Sequence, residues 1–246
     1  MTIETKPILF LDFDGTISCR DAIDAILEKF ADKSWEIVEE KWKNGAIGSR
    51  QCLREQVALI NASPDEINDL LDGIKLDAGF ETLLKTCHRF DVKPHIISDG
   101  FDFCIERILS GSVTAINLPV FSSHLEFQNG KWQTDFPYFA KNCQHGCATC
   151  KPQVMKNLNR ERAPMIFVGD GLSDRYATQS ADLVFAKQGL ANFCTEKKIK
   201  FFAYQNLSDV AERIEYLLNM QNSAARSAIP RLEWINAPEV FNWEQR

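Results

Sequence analysis

Long apolar runs are missing from this chain. No stretch approaches the roughly 18 residues that would suggest a membrane span, so no membrane association is expected. The opening MTIETKP has neither the basic start nor the apolar stretch of an export signal. An excess of positive charge is also missing. Lys and Arg number 28 against 34 Asp and Glu, a net charge of -6. That removes any general case for binding nucleic acid or an anionic membrane. A small anionic ligand would need positive charge supplied locally, by a metal ion or a placed Lys. Internal repeats and low-complexity segments are absent. Apolar residues are not in short supply: 246 residues, 45% hydrophobic and 25% charged, suit a globular core with room for a smaller second domain.

Cysteine is plentiful, yet its distribution argues against a disulfide scaffold. Cys19, Cys52, Cys87, Cys104 and Cys194 are scattered, whereas Cys143, Cys147 and Cys150 cluster. A secreted scaffold would be shorter and would carry an export signal. A cytoplasmic location with mostly reduced thiols is therefore expected.

The first strong strand is Pro7 to Phe13, a near-continuous apolar run of the kind found in parallel strands covered on both faces. It ends in the turn signal Asp14-Gly15-Thr16. From Arg20 to Asp72 the pattern is helical, with Ile23, Ile26, Leu27 and Phe30 at helical spacing, as are Trp35, Val38 and Trp42. Ser63-Pro64-Asp65-Glu66 reads as an N-cap with Pro at the first helical position. Alternation of helix and strand resumes after Gly79. A helix over Phe80 to Phe90 leads to a strand over Val92 to Ile97, and a helix follows over Phe101 to Leu109. Ala115 to Trp132 reads as β structure with a hairpin turn at Asn129-Gly130. A helix is expected from Pro152 to Leu158, strands at Met165 to Val168, Asp182 to Ala186 and Lys200 to Tyr204, and a helix from Ser208 to Met220. The fold class is α/β, a doubly wound parallel sheet. In such sheets ligands bind beyond the carboxyl ends of the strands.

Three strands end in polar residues. Strand alternation puts Asp12 and Asp14 on one side of the chain. Two carboxylates that close repel unless a cation lies between them or one is protonated. One then suits a nucleophile and the other proton transfer. A bare Asp-x-Asp is also a common turn; the apolar strand before it and the Gly-Thr after it favour chemistry. Gly169-Asp170-Gly171-Leu172-Ser173-Asp174 is a second acidic cluster after an apolar strand. Mg2+ takes oxygen ligands, and Asp170 completes a candidate site with Asp12 and the Asp14 carbonyl. Asp174, one helical turn on, would ligate or orient; the same cluster also reads as a turn with a helix cap. Ser98, with the N–H groups after it, suits a phosphate oxygen at a helix N-terminus, and equally an ordinary cap by Ser98 or Asp99. Lys151 opens a helix and is a point charge suited to a phosphoryl oxygen.

These residues carry a resemblance. Asp12-x-Asp14-Gly-Thr16, Ser98, Lys151 and Gly169-Asp170-Gly171-x-x-Asp174 occur in the order of the four motifs of the haloacid dehalogenase superfamily, and the match runs from Pro7 to Ala186. The resemblance implies catalytic roles for Asp12 as nucleophile, Asp14 as acid and base, and Ser98 and Lys151 as holders of the phosphoryl group. It implies Mg2+ on Asp12, Asp14 and Asp170 with Asp174 supporting. The helical block resembles the cap of the phosphoserine phosphatase branch. The implied domains are a core of residues 1–18 and 79–220, a cap of 19–78, and a tail of 221–246 carrying Trp234 and Trp243. Ile97-Ser98-Asp99-Gly100-Phe101-Asp102 and Cys147-Ala-Thr-Cys150-Lys151-Pro152 narrow the resemblance to methionine-salvage phosphatases, which act on a methylthio-diketo phosphate. In the cap, Leu53-Arg54-Glu55-Gln56-Val57 resembles a Leu-Arg-x-Arg-Val stretch whose second Arg grips the phosphoserine carboxylate. Gln56 stands in its place, and Asp21 stands where that branch has a Glu. Expected substrate-binding residues are thus Ser98, Asp99, Gly100, Asp21 and Arg54.

The implied partner is a small phosphate ester, with phosphoserine and phosphocholine-like esters as alternatives. No nucleic acid or membrane partner is expected, and the chain is read as a monomer or homodimer. Cys143, His145, Cys147 and Cys150 form a candidate Zn2+ set. A Cys147–Cys150 redox pair is another reading, and a loop that places Lys151 is the leading one. A rival from another class is a receiver-like switch that holds a long-lived phosphoaspartate; an acid/base at Asp14 beside Asp12 argues against it. A non-catalytic binding protein is the third reading, opposed by the intact acidic set.

Overall fold

The computed structural model describes residues 6–112 and 117–225. Strand β1 (Ile8–Leu11) lies at the centre of a seven-stranded sheet. Leu9 and Leu11 enter one apolar cluster and Phe10 the opposite one, all fully buried, as alternation on a strand covered on both faces demands. Burial of each such side chain contributes roughly 1.5–3 kcal/mol. From β1 the chain moves outward through β2 (Lys93–Phe101), β3 (Val120–Gln128) and β4 (Lys131–Asp135). It then returns to the other side of β1 with β5 (Met165–Gly169), β6 (Leu183–Ala186) and β7 (Phe202–Ala203). The order is β4-β3-β2-β1-β5-β6-β7. All neighbouring pairs are parallel except the β3–β4 hairpin, which turns at Asn129-Gly130. The order reverses between β1 and β5, where the strand ends of an open sheet leave a crevice.

Helices cover both faces. α5 (Phe80–Phe90), α6 (Asp102–Leu109) and α9 (Leu207–Ala225) add Phe80, Ile105 and Val210 to the cluster of Leu9. α7 (Lys151–Leu158) and α8 (Gln188–Lys197) add Met155 and Leu190 to the cluster of Phe10. Helix α8 has no counterpart in the sequence reading, since only Leu190 and Cys194 of its ten residues are buried. Helix α9 runs five residues beyond the expected Met220. Residues 226–246, with Trp234 and Trp243, and the start of the expected Ala115–Trp132 segment lie outside the described residues. Among the described residues no helix is long and apolar enough to cross a membrane.

Four helices stand between β1 and α5: α1 (Ala22–Phe30), α2 (Trp35–Lys43), α3 (Ser49–Val57) and α4 (Pro64–Leu71). Asp21 caps α1 through Asp24 N–H at 3.0 Å. Ser63 and Glu66 form a reciprocal capping box on α4, with Pro64 at its first position. The two chains that enter and leave this insert run side by side. Cys19 N–H donates to Lys75 O, Asp77 N–H donates to Ile17 O, and Ser18 bridges Leu76. Further ties are Trp132 Nε1–H to Ala62 O at 2.9 Å, and the Arg107 fork on Asp72 with both bonds at 2.6 Å. The insert is thereby anchored over the sheet's carboxyl end.

Candidate active site

Asp12 continues β1 by donating its N–H to Val168 O at 2.9 Å, which sets it beside the end of β5. The chain then turns, with Thr16, Ile17 and Ser18 all donating N–H groups to Phe13 O. Gly15 makes the turn in the left-handed region at φ +72°, and a Cβ there would stand 2.4 Å from an Asp170 carboxylate oxygen. Thr16 Oγ1 donates to Asp170 Oδ1 at 3.0 Å, and the Tyr204 hydroxyl donates to Gly169 O at 3.2 Å. These bonds fix the ends of β1 and β5 against each other. Asp14 accepts Ala22 N–H at 2.9 Å, where the chain enters the insert.

Lys151 is 1% exposed, and its ammonium donates to Asp12 Oδ1 at 2.7 Å and Asp174 Oδ1 at 2.5 Å. The other Asp174 oxygen accepts the N–H groups of Asp170 and Gly171 at 3.0 and 3.1 Å. A buried ammonium between two carboxylates is held protonated: burial alone would lower the Lys151 pKa, but Asp12, Asp174 and Asp99 raise it. One ammonium does not neutralise the site. Burial raises Asp12 well above the ordinary carboxyl range, Asp174 raises it further, and Lys151 opposes. Burial carries Asp14 to about 7, against the Ala22 N–H, with Asp12 and Asp170 adding to the rise. Burial and Asp174 carry Asp170 to about 6. Among the described residues Asp12, Asp170 and Asp174 are the group whose ligand atoms converge for a metal, all within 4.8 Å of one another. An oxygen-only donor set with uncompensated negative charge fits a hard divalent cation.

Ser98 lies 1% exposed at the bend of β2, where its Oγ accepts Gly100 N–H at 2.9 Å. The expected helix cap at Ser98 or Asp99 does not form. Strand β2 continues to Phe101, and Asp102 instead binds Phe103 N–H, Leu125 N–H and His124. A Cβ on Gly100 would meet Asp14 Oδ2 at 2.3 Å, so this residue permits the close approach of the second strand end to the first. Asp99 faces the insert. Its Oδ2 accepts the Ser49 hydroxyl at 2.5 Å and its Oδ1 accepts Thr149 N–H at 2.9 Å. Ser49 Oγ in turn accepts Ala148 N–H at 3.0 Å.

Residues 7–217 match the model of the family described as Putative Phosphatase. The chain belongs to that family. This phosphatase is 28% identical over 215 residues to a 2-hydroxy-3-keto-5-methylthiopentenyl-1-phosphate phosphatase of Bacillus pumilus, a match that covers 86% of this chain and 92% of the relative. It is 29% identical over 217 residues to a protein of the same name from Geobacillus thermodenitrificans, covering 85% and 96%. Its fold is that of phosphoserine phosphatases of the haloacid dehalogenase type. A phospho-aspartyl intermediate analogue of phosphoserine phosphatase superposes with TM-score 0.69 at 19% identity, over 86% of this chain and 99% of that one. A substrate-bound phosphoserine phosphatase complex gives 0.67 at 21%, over 87% and 99%.

In the phosphatase a cavity of about 420 Å³ opens between the strand ends and the insert. Asp12, Asp14, Ser98 and Asp170 form its floor; Asp21, Asp24 and Glu39 line the facing wall with Trp42, Leu53 and Gln56. Burial raises the Asp21 carboxyl well above the ordinary range, with Asp14 and Asp24 adding to the rise. Two sequence expectations are corrected. Arg54 does not line the cavity: it is exposed, with its guanidinium over the Phe136 ring at 5.4 Å, because Cys52, Leu53, Gln56 and Val57 take the inward phase of α3. Gln56 reaches Glu39 Oε2 at 3.0 Å in its stead. The Zn2+ set is not assembled either. His145 is drawn away to stack on Tyr176, ring centroids 3.8 Å apart, which leaves the thiols without a fourth ligand. Ser49, Glu39, Trp42 and Tyr204 were missed. They carry no motif, although Glu39 and Trp42 lie three residues apart on a helix and so share a face.

Proposed function

We propose that this phosphatase hydrolyses a phosphate monoester through an aspartyl phosphate at Asp12. The carrying observation is the pairing of a buried Asp12, held by Lys151, with an Asp14 that titrates at about 7. One Asp12 oxygen attacks phosphorus as the bond to the ester oxygen breaks, and protonated Asp14 gives its proton to the leaving oxygen. Asp14, now a carboxylate, takes a proton from water as that water attacks phosphorus. The bond to Asp12 breaks and inorganic phosphate departs. Ser98 Oγ and the Lys151 ammonium hold the phosphoryl oxygens, and Lys151 offsets charge that grows as the ester bond breaks. Mg2+ would be held by Asp12, Asp170 and the Asp14 carbonyl. When bound it supplies charge neutralisation and orientation of the phosphoryl group. Asp174, with both oxygens occupied by protein donors, orients Lys151 and the 170–171 turn. Residues 19–78 serve as the cap that excludes bulk water and selects the leaving group.

The leading substrate is 2-hydroxy-3-keto-5-methylthiopentenyl-1-phosphate. The names of the relatives support it, as do Trp42, Cys52 and Leu53, which offer apolar surface to a methylthio chain. The acidic wall of Asp21, Asp24 and Glu39 beside Trp42 favours a second reading, an ester with a cationic leaving group such as phosphocholine. Phosphoserine is disfavoured, because its carboxylate would meet those acids where Gln56 replaces an Arg. Hydrolysis of a generic aryl phosphate should require Mg2+, cease with EDTA, and be lost in Asp12→Asn. Full activity of that variant would refute the nucleophile assignment. The ratio of kcat/KM for the methylthio ester to that for phosphocholine and phosphoserine decides the substrate.

A further inference from the structure

Tyr204 belongs to no motif, yet it reaches the middle of the site from the edge of the sheet. It follows β7, the outermost strand on the β5 side, and is 4% exposed. The Lys187 ammonium lies 5.0 Å from the centre of its ring and covers that face. The hydroxyl meets two acceptors. It donates to Gly169 O at 3.2 Å and lies 3.4 Å from Thr16 Oγ1. A buried Tyr hydroxyl ordinarily finds one partner, and Gly169 O supplies it. Gly169 O also accepts Lys187 N–H at 3.3 Å, so it does not depend on Tyr204. The approach to Thr16 is surplus to both needs.

Proton counting gives that approach a direction. Thr16 has one hydroxyl proton, donated to Asp170 Oδ1 at 3.0 Å. An ionised carboxylate only accepts, so this proton stays directed at Asp170. Thr16 Oγ1 then acts as acceptor toward Tyr204, whose proton is shared between Gly169 O and Thr16 Oγ1. Two hydroxyls in series thus run from Tyr204 through Thr16 to Asp170. The backbone of Asp170 is held separately: its N–H donates to Asp174 at 3.0 Å and its O accepts Leu190 N–H at 2.8 Å. Among the described residues Thr16 is the side chain bonded to the Asp170 carboxylate. The rotation of that carboxylate therefore depends on Thr16, and the orientation of the Thr16 hydroxyl depends on Tyr204.

We propose that Tyr204 is a positioning residue for the metal ligand Asp170. By donating to Thr16 it keeps the Thr16 proton on Asp170 Oδ1, fixes the carboxylate's rotation, and so sets the enzyme's affinity for Mg2+. The inference rests on the reading that Asp170 holds Mg2+. Groups that orient a metal's ligands are worth about 10–100-fold in metal affinity. Tyr204 acts one bond further out, so loss of its hydroxyl should cost about tenfold, the lower end of that range.

The test measures Mg2+ binding to the full-length protein, by calorimetry and by the Mg2+ dependence of the melting midpoint, beside the Mg2+ dependence of aryl phosphate hydrolysis. Tyr204→Phe removes the hydroxyl and keeps the ring. It should raise the Mg2+ dissociation constant about tenfold, raise the Mg2+ concentration for half-maximal activity in step, and regain kcat in excess Mg2+. A purely structural role would lower the melting midpoint without Mg2+ and leave the affinity alone, and that result would overturn the proposal. Thr16→Val should lose at least as much affinity, and adding Tyr204→Phe to it should lose no more. A further loss in the double variant would show that Tyr204 acts through Gly169 O instead, and would overturn the Thr16 route. If Tyr204→Phe does not fold, Thr16→Val decides: wild-type Mg2+ affinity in that variant overturns the proposal. Wild-type protein that binds no Mg2+ would overturn the metal site and the proposal together. Wild-type protein that binds Mg2+ without phosphatase activity would count against the phosphoaspartate mechanism alone, with the affinity comparison still deciding the role of Tyr204.

Discussion

Ser49 and Asp99 are joined directly, the Ser49 hydroxyl donating to Asp99 Oδ2 at 2.5 Å while Asp99 Oδ1 holds Thr149 N–H. This bond fastens the first residue of α3 to Asp99 near the end of β2, and Thr149, held by the other Asp99 oxygen, stands two positions before Lys151. Hydrogen bonds to a charged group contribute about 1.5–3 kcal/mol. Ser49→Ala should lower unfolding stability by about that much. Asp99→Ala should also reduce kcat, because it frees the loop that places Lys151. Urea unfolding and steady-state kinetics read the two effects separately; an Asp99→Ala enzyme with unchanged kcat would refute the coupling.

Lys151→Met should be costly in both respects. It leaves Asp12 and Asp174 buried without a counter-charge, and breaking a buried pair from one side destabilises by about 3–5 kcal/mol. Activity should be lost at saturating substrate. Lys151→Arg should not restore it, since a planar fork does not fit a pocket shaped for a point charge. The urea midpoint and the residual kcat check the pair of statements.

Stability should respond to Mg2+ in a pH-dependent way. Asp14 and Asp170 titrate at about 7 and about 6 in the folded protein, against roughly 3.9 for an unfolded Asp. The folded state therefore binds more protons than the unfolded chain across that window, and stability falls as pH rises from about 4 to 7. Above pH 7 the carboxylates are charged and the penalty is complete. A cation on Asp12 and Asp170 opposes that penalty, so Mg2+ should raise the melting midpoint more at pH 8 than at pH 5. An Mg2+ shift that is the same at both pH values would argue against a carboxylate cation site.

Gly100→Ala should separate the two halves of the chemistry. Its Cβ would crowd Asp14 Oδ2 at 2.3 Å and, less closely, Ser98 Oγ at 3.1 Å, so it displaces chiefly the proton donor while leaving Asp12 and Lys151 in place. General acid catalysis contributes roughly 10²–10⁴-fold when the leaving group needs a proton. Alkyl phosphate hydrolysis should fall within that range, and aryl phosphate hydrolysis, with its better leaving group, should fall much less. Equal losses on the two substrates would point to general misfolding of the site instead.

Much of this site is legible in the order of residues along the chain. Apolar runs that stop at polar turns announce β1, β2 and β5, and they place Asp12 and Asp170 just past strand ends; Ser98, expected at a strand end as well, lies within β2, which continues to Phe101. The sheet's two-sided burial is legible in the uninterrupted Ile8–Leu11 run, because such a strand has no face for water. The partners of Asp99 are not legible: Ser49 and Thr149 each lie fifty residues away, and nothing local distinguishes a ligand-facing Asp from one that latches two segments. Arg54 looks like a ligand for an anion until the phase of α3 turns it outward toward Phe136. The buried set Cys52, Leu53, Gln56 and Val57 already held that phase as a helical period. The amino-acid order thus settles which chemical groups end which strands, since hydrophobic burial and turn chemistry act over a few residues. Only the packed sheet settles which of those groups meet. The reversal of strand order between β1 and β5 brings Asp12 and Asp170 together, and the packing of α7 carries Lys151 across 139 residues of chain to lie against Asp12.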